Sequence, residues 1–114
     1  MNIRVRVRPG ALVVHADGHM TDNAAAELLG QVQNELRARP RNVVLDLSAV
    51  ESITAGALPY VFRIQRETHA GATRFVLAGR SAPVQRLLEK TNVVGALEHA
   101  ADTEEACRSV ALEV

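Results

Sequence analysis

Residues 43 to 58 read VVLDLSAVESITAGAL, and this stretch changes character halfway along. From Val43 to Leu47 it is continuously apolar except for Asp46, which is typical of a central strand covered on both faces. Small residues follow, and beyond residue 58 the apolar side chains take up helical spacing. The stretch therefore predicts a buried strand, a short loop and the start of a helix, which is the repeating unit of an α/β fold.

The N-terminal residues predict a β-hairpin. Between Ile3 and Arg8, apolar residues alternate with arginines, the period-two pattern of a strand with one packed and one solvated face. Pro9-Gly10 marks a turn, residues 11–15 form a second apolar run, and Asp17-Gly18 is expected to close it. The arginine row is typical of an edge strand that is protected from aggregation.

The rest of the chain alternates between helices and strands. The expected helices run from Asp22 to Pro40, from the loop to Gly71, from Ser81 to about Lys90, and onward from Asp102, and the next buried strand is 75–78. The order β-β-α-β-α-β-α-(β)-α predicts one α/β domain over residues 1–114. We expect a mostly parallel central sheet, an antiparallel N-terminal hairpin at its edge, and about four helices.

Composition excludes several classes of function. The 13 basic and 13 acidic residues cancel, and two Phe, one Tyr and no Trp offer few platforms for nucleic-acid bases. The single cysteine, Cys107, is expected to be a small packing residue. The first twenty residues lack the apolar core of a signal peptide, and no segment has the length of a membrane span. A cytoplasmic protein without nucleic-acid binding or direct membrane insertion is expected.

Isolated polar residues give no sign of catalysis. Asp46 and Ser48 are expected to satisfy backbone groups in the turn after their strand. The four histidines of the chain are too scattered for a metal signature and are expected to be solvated or in loops, although His15 and His19 could face one another across a turn. We therefore expect no catalytic residue, no metal and no cofactor.

Three motifs, in this order and spacing, resemble the STAS domain family of bacterial anti-sigma-factor antagonists. They are Gly18-His19-Met20 before the first helix, residues 46–50 (DLSAV) at the exit of the central strand, and residues 81–88 (SAPVQRLL) in the penultimate helix. The resemblance covers nearly the whole chain and implies the STAS fold. It also implies a partner-binding loop after the central strand, in which a partner kinase phosphorylates a serine of an Asp-Ser-Ser-Gly tetrapeptide.

That tetrapeptide is degenerate here. Alignment without a gap places Thr54 on the family's Asp, Ala55 on the first Ser, Gly56 on the acceptor Ser and Ala57 on the Gly. Sliding the alignment by one residue places Ala55 on the acceptor, so the acceptor hydroxyl is absent in both registers. Thr54 is the one hydroxyl able to inherit a switching role, but an N-cap or loop threonine is the favoured interpretation.

Pro59 and Gly56 allow predictions about the backbone in this region. Pro59 disfavours helical geometry at Leu58, so the following helix is expected to begin at Pro59 or later. Gly56 could require a special backbone geometry that Asp resists, so a Gly56→Asp variant has to be tested for folding.

The resemblance implies a regulatory interaction module and not an enzyme. Its partner is expected to be an anti-sigma factor or a serine/threonine switch kinase, bound without the usual phosphoserine switch. We call the expected contact segment the docking loop; its residues are Ser52, Ile53, Thr54, Ala55, Gly56, Ala57 and Leu58. The alternative is a STAS subunit of a lipid-transport ATPase or of a stressosome-like scaffold, in which phosphorylation plays no part.

Overall fold

The computed structural model describes residues 1–111 as a five-stranded sheet packed between helices. The strands are β1 (Asn2–Arg8), β2 (Ala11–Met20), β3 (Asn42–Ile53), β4 (Phe75–Arg80) and β5 (His99–Ala100). The helices are α1 (Asp22–Ala38), α2 (Leu58–Ala70), α3 (Ala82–Lys90) and α4 (Thr103–Ala111), with short 3₁₀ turns at Ala55–Ala57 and Val94–Ala96.

The strands lie in the sheet in the order in which they follow one another in the sequence. β1 pairs antiparallel with β2, and every later neighbouring pair is parallel. The predicted α/β fold, with its antiparallel hairpin at the edge of a parallel sheet, is thereby confirmed. Because successive right-handed crossovers in one direction place their helices on the same side, α1, α2 and α3 share one face of the sheet.

The sheet separates two apolar clusters. The larger contains Leu12, Leu45 and Phe75 from the strands and Leu28 and Ile64 from the helices, all completely buried. The smaller lies on the opposite face, where α4 covers alternate residues of β2, β3 and β4. Strands β3 and β4 are therefore covered on both faces, which explains their continuous apolar runs.

Two strands are longer than the apolar runs predicted. β2 continues through Asp17 and Gly18 to Met20, and β3 continues past Leu47 to Ile53. The two extensions pair with each other in parallel, with register shifts on either side of Asp17-Gly18. β4 ends opposite Leu47, so this part of β3 has a neighbouring strand on one edge only. The two extensions accordingly carry more polar side chains than the buried runs before them.

Helix α2 begins at Leu58, one residue before the earliest predicted start. The backbone of Leu58 is helical (φ −58°, ψ −43°) although Pro59 follows it. The 3₁₀ turn at Ala55–Ala57 already curls the chain and leads directly into the helix. Pro59 then lies in the first turn of α2, where its missing N–H leaves no bond unmade.

Candidate functional site

The docking loop leaves the sheet at the end where β2 and β3 terminate side by side. Met20 pairs with Ile53, and the Thr54 N–H donates to the Met20 carbonyl at 3.1 Å. The Ala57 N–H donates back to the Thr54 carbonyl at 3.1 Å and closes the 3₁₀ turn. The loop is thus held on the first turn of α1, which begins directly after β2.

The seven residues of the docking loop differ in exposure. Ser52, Thr54, Ala55 and Gly56 are exposed, whereas Ile53 is half-buried. Ala57 is fully buried and Leu58 is 7% exposed, because both belong to the larger apolar cluster. The structure therefore presents small side chains and backbone to solvent and uses the end of the loop as an anchor.

Asp22, which sequence reasoning did not connect with the loop, is its main polar neighbour. Thr21 is the N-cap of α1, its side-chain oxygen accepting from the Ala24 N–H at 3.1 Å, and Asp22 is the first helical residue. The carboxylate of Asp22 accepts a hydrogen bond from the Thr54 hydroxyl at 2.5 Å. A carboxylate at this position is also favoured by the helix dipole.

The same carboxylate lies where a side chain at position 56 would begin. A Cβ added to Gly56 would lie 2.3 Å from Asp22 Oδ2 and 2.6 Å from Oδ1. Gly56 does not have a positive φ, so the expectation of a special backbone geometry is wrong. A side chain at position 56 would have to displace the Asp22 carboxylate, which is the end of an exposed side chain.

Thr54 has an extended backbone and precedes the 3₁₀ turn at its N-cap position. Its hydroxyl makes no capping hydrogen bond to that turn, because it is directed to Asp22. The sequence interpretation placed the residue correctly at a turn start but did not identify its partner.

A second polar cluster lies on the α4 face of the sheet. Asp46 Oδ1 accepts from the Ser48 N–H at 2.9 Å, while Oδ2 lies 2.9 Å from His15 Nδ1 and accepts from the Thr103 hydroxyl at 3.1 Å. The Asp46 carboxylate accepts from a backbone amide as expected, but the expectation of a turn is wrong, because Asp46 and Ser48 both lie within β3. Thr103 is the first residue of α4, so the cluster ties that helix to the sheet.

The two histidines of β2 do not form the contact with each other that the sequence allowed. His15 and His19 do not face one another: His15 contacts Asp46, and His19 Nδ1 lies 2.8 Å from Ser52 Oγ. Parallel pairing of β2 with β3 brings each histidine to a different polar residue of β3. Within residues 1–111, no group of three or more His, Cys, Asp or Glu residues is arranged to hold a metal ion.

The Asp46 cluster predicts an acid-sensitive contribution to stability. Burial of the carboxyl opposes ionisation, but hydrogen bonds from Ser48 and Thr103 and the nearby His15 hold the pKa of Asp46 below its ordinary value. The stabilisation is therefore fully present above the unfolded-state pKa of about 3.9 and is lost as pH falls through the lower folded-state pKa.

We expect Asp46→Asn to lower the free energy of unfolding by about 1–3 kcal/mol at pH 7, because the lost partner is charged. Urea unfolding at pH 7 and at about pH 3 checks this, because the difference between wild type and variant should be smaller in acid. An equal difference at both pH values would show that the carboxylate charge is not what stabilises the cluster.

The structure also bears on Cys107 and on the helices as candidate membrane spans. Cys107 is half-buried beside the smaller apolar cluster, and burial raises the pKa of its thiol, which makes it a poor nucleophile. Among the described residues, no helix combines the length and apolar character needed to cross a bilayer.

Comparison with known proteins agrees with this geometry. The STAS domain family model matches residues 2–106. An anti-sigma factor antagonist from Mycobacterium paratuberculosis has a similar structure, with a TM-score of 0.84 at 21% identity, covering 96% of this chain and 92% of that chain. No curated protein sequence matches the chain significantly.

Two structures of SpoIIAA are also similar. The anti-sigma factor antagonist SpoIIAA in its unphosphorylated form gives a TM-score of 0.79 at 15% identity, covering 99% of this chain and 98% of that chain. The Bacillus cell fate determinant SpoIIAA in its phosphorylated form gives 0.73 at 15% identity, covering 96% and 99%. At these identities the likeness establishes the fold, and together with the family match it shows that this chain belongs to the STAS domain family.

Proposed function

We propose that this protein is a regulatory, non-enzymatic interaction module that acts in the cytoplasm. Its partner is an anti-sigma factor or a serine/threonine switch kinase, bound through the exposed part of the docking loop without a phosphoserine switch. The observation that carries the proposal is the loop itself: exposed small residues at Thr54–Gly56, no hydroxyl at positions 55 and 56, and the Asp22 carboxylate in the space beside position 56.

Position 56 has no hydroxyl to accept a phosphate, and its surroundings also disfavour one. A phosphoryl group carries about −1.5 to −2 charges at pH 7, and at this place it would lie beside a carboxylate. Like charges at such short range repel each other, and the first atom of a side chain already conflicts with Asp22. A phosphate at this place would therefore have to displace the exposed Asp22 carboxylate or be repelled by it.

The absence of an acceptor hydroxyl at positions 55 and 56 affects how partner binding can be regulated. A STAS protein that acquires a phosphate at its loop gains a charge that can repel a bound partner, whereas this loop cannot change in that way. Binding is therefore constitutive, and any control acts on the partner or on the amount of this protein.

We expect no phosphate at residues 54–56 of the docking loop after incubation with a switch kinase and ATP. Ala55 and Gly56 have no nucleophilic oxygen, and the Thr54 hydroxyl donates to Asp22. Phosphopeptide mass spectrometry checks this, with Thr54→Val as the matched control. Stoichiometric modification of Thr54 that disappears in Thr54→Val would contradict the proposed absence of a phosphorylation switch.

The partner class is tested by capture from the native cell with the whole chain as bait. Gly56→Asp serves as the paired bait, so that proteins bound elsewhere on the surface are captured equally by both. Enrichment of an anti-sigma factor or switch kinase on wild type over Gly56→Asp supports the proposal. Enrichment of transport-ATPase or stressosome subunits instead would favour the alternative STAS functions.

A further inference from the structure

The outer edge of β1 is a second surface with recognisable chemistry. β1 pairs with β2 along its whole length without a register shift, and β1 stands at the end of the sheet. It contains no proline, and Val7 in this strand is 68% exposed. Within residues 1–111, β1 therefore lacks the bulge, kink or cover that often blocks strand addition at an edge.

The hairpin register determines which backbone groups face outward. Arg8 pairs with Ala11 across the two-residue turn Pro9-Gly10, and the pair that flanks such a turn exchanges hydrogen bonds. Because hydrogen-bonded pairs alternate along an antiparallel ladder, the N–H and C=O groups of Ile3, Val5 and Val7 point away from β2. These three residues offer an unpaired ladder to an added strand.

The side chains of the alternate residues carry positive charge. Arg4, Arg6 and Arg8 lie on one face of β1, which is the face that α4 packs against further into the sheet. Arg8 is paired with Glu104 at 2.9 Å. The side chains of Arg4 and Arg6 form neither a hydrogen bond nor an ion pair with any group of residues 1–111, so their positive charges are not compensated.

We propose that this edge binds an extended segment of a partner protein in which acidic residues alternate with apolar ones. Such a segment adds to β1 as a further strand, and its backbone pairs with the outward groups of Ile3, Val5 and Val7. Its carboxylates lie opposite Arg4 and Arg6, while its apolar side chains cover the half-buried face of β1 and Val7.

The charges select against a second copy of this chain. Antiparallel pairing of β1 with its own copy places arginines opposite arginines, which is destabilising. If β1 served only to prevent self-association, its positive charges would be sufficient. The exposed Val7 and the uninterrupted ladder, however, give an acidic strand both apolar area and backbone hydrogen bonds.

The test uses the full chain and a fluorescent peptide, Thr-Glu-Val-Glu-Val-Glu-Thr, with Thr-Lys-Val-Lys-Val-Lys-Thr as its counterpart. We expect the acidic peptide to bind and the basic one not to, with affinity falling as salt is raised. Arg4→Glu combined with Arg6→Glu should weaken acidic-peptide binding about tenfold or more and create binding of the basic peptide.

A matched control separates this edge from general charge attraction. Arg63→Glu combined with Arg66→Glu changes the net charge equally on the exposed side of α2 and should leave binding unchanged. Circular dichroism verifies that each variant is folded. Equal weakening by both double variants, or no binding of the acidic peptide to wild type, overturns the proposal.

Amide exchange on wild-type protein gives a readout that needs no variant. Peptide binding should slow the exchange of the Ile3, Val5 and Val7 amides, while those of Arg4 and Arg6 are already paired with β2. Protection confined to other parts of the surface overturns the assignment even if the peptide binds.

Discussion

Gly79→Ala is expected to lower the free energy of unfolding by about 2–4 kcal/mol, through both backbone strain and crowding. Gly79 has a φ of +64°, and an added Cβ would lie 2.9 Å from the Ser48 Cβ and 3.1 Å from Asp46 Oδ1. It lies at the register shift between β3 and β4, where Asp46 pairs with Ala78 but Leu47 pairs with Arg80. The variant therefore disturbs the sheet beside the Asp46 cluster.

Gly30→Ala is the matched control for this prediction. Gly30 lies inside α1, and apart from its chain neighbours and the nearby backbone of α1 no atom lies within 4 Å of the place its Cβ would occupy. Because alanine favours the helical backbone, this change should stabilise the protein by about 0.5–1 kcal/mol. Urea unfolding at one pH compares both variants with wild type. A neutral or stabilising Gly79→Ala would contradict the backbone strain and crowding inferred at this position.

The fold was predictable because its signals are local. Alternation between Ile3 and Arg8, the apolar run of Val43–Leu47 and helical spacing after Asp22 each report burial of one element. Their order then admits few topologies. The sequence underestimated the ends of β2 and β3, since a strand paired along one edge with polar side chains lacks the apolar run that marks a buried strand.

The site was only partly predictable because its key contact joins distant residues. The position of the loop followed from the strand-to-helix change, and the missing acceptor followed from Ala55 and Gly56. The contact between Asp22 and the loop depends on the parallel register that pairs Met20 with Ile53. Thr21-Asp22 is a visible helix start, and combining it with that register would have found the contact.

Gly56→Asp is expected to weaken partner binding by tenfold or more. A carboxylate at this exposed position becomes buried and unpaired when a partner covers the loop, which costs on the order of several kcal/mol. The new carboxylate also lies beside that of Asp22 in α1, so two negative charges meet at this place. Gly56→Asn has nearly the same shape, displaces Asp22 in the same way and adds no charge.

Comparing these two variants separates charge from shape. Displacement of Asp22 breaks its hydrogen bond with Thr54 in both, and that effect cancels in the ratio of their affinities. Circular dichroism and urea unfolding establish that both are folded. The backbone at Gly56 is compatible with either side chain, because its φ is not in the left-handed region.

The most direct test of the docking loop is a calorimetric titration of the captured anti-sigma factor or switch kinase with wild type, Gly56→Asp and Gly56→Asn. We predict that Gly56→Asp binds at least about tenfold more weakly than Gly56→Asn, because only the former adds an unpaired charge to the interface. If folded Gly56→Asp binds as tightly as wild type, the docking loop is not the interface and the proposed function is contradicted.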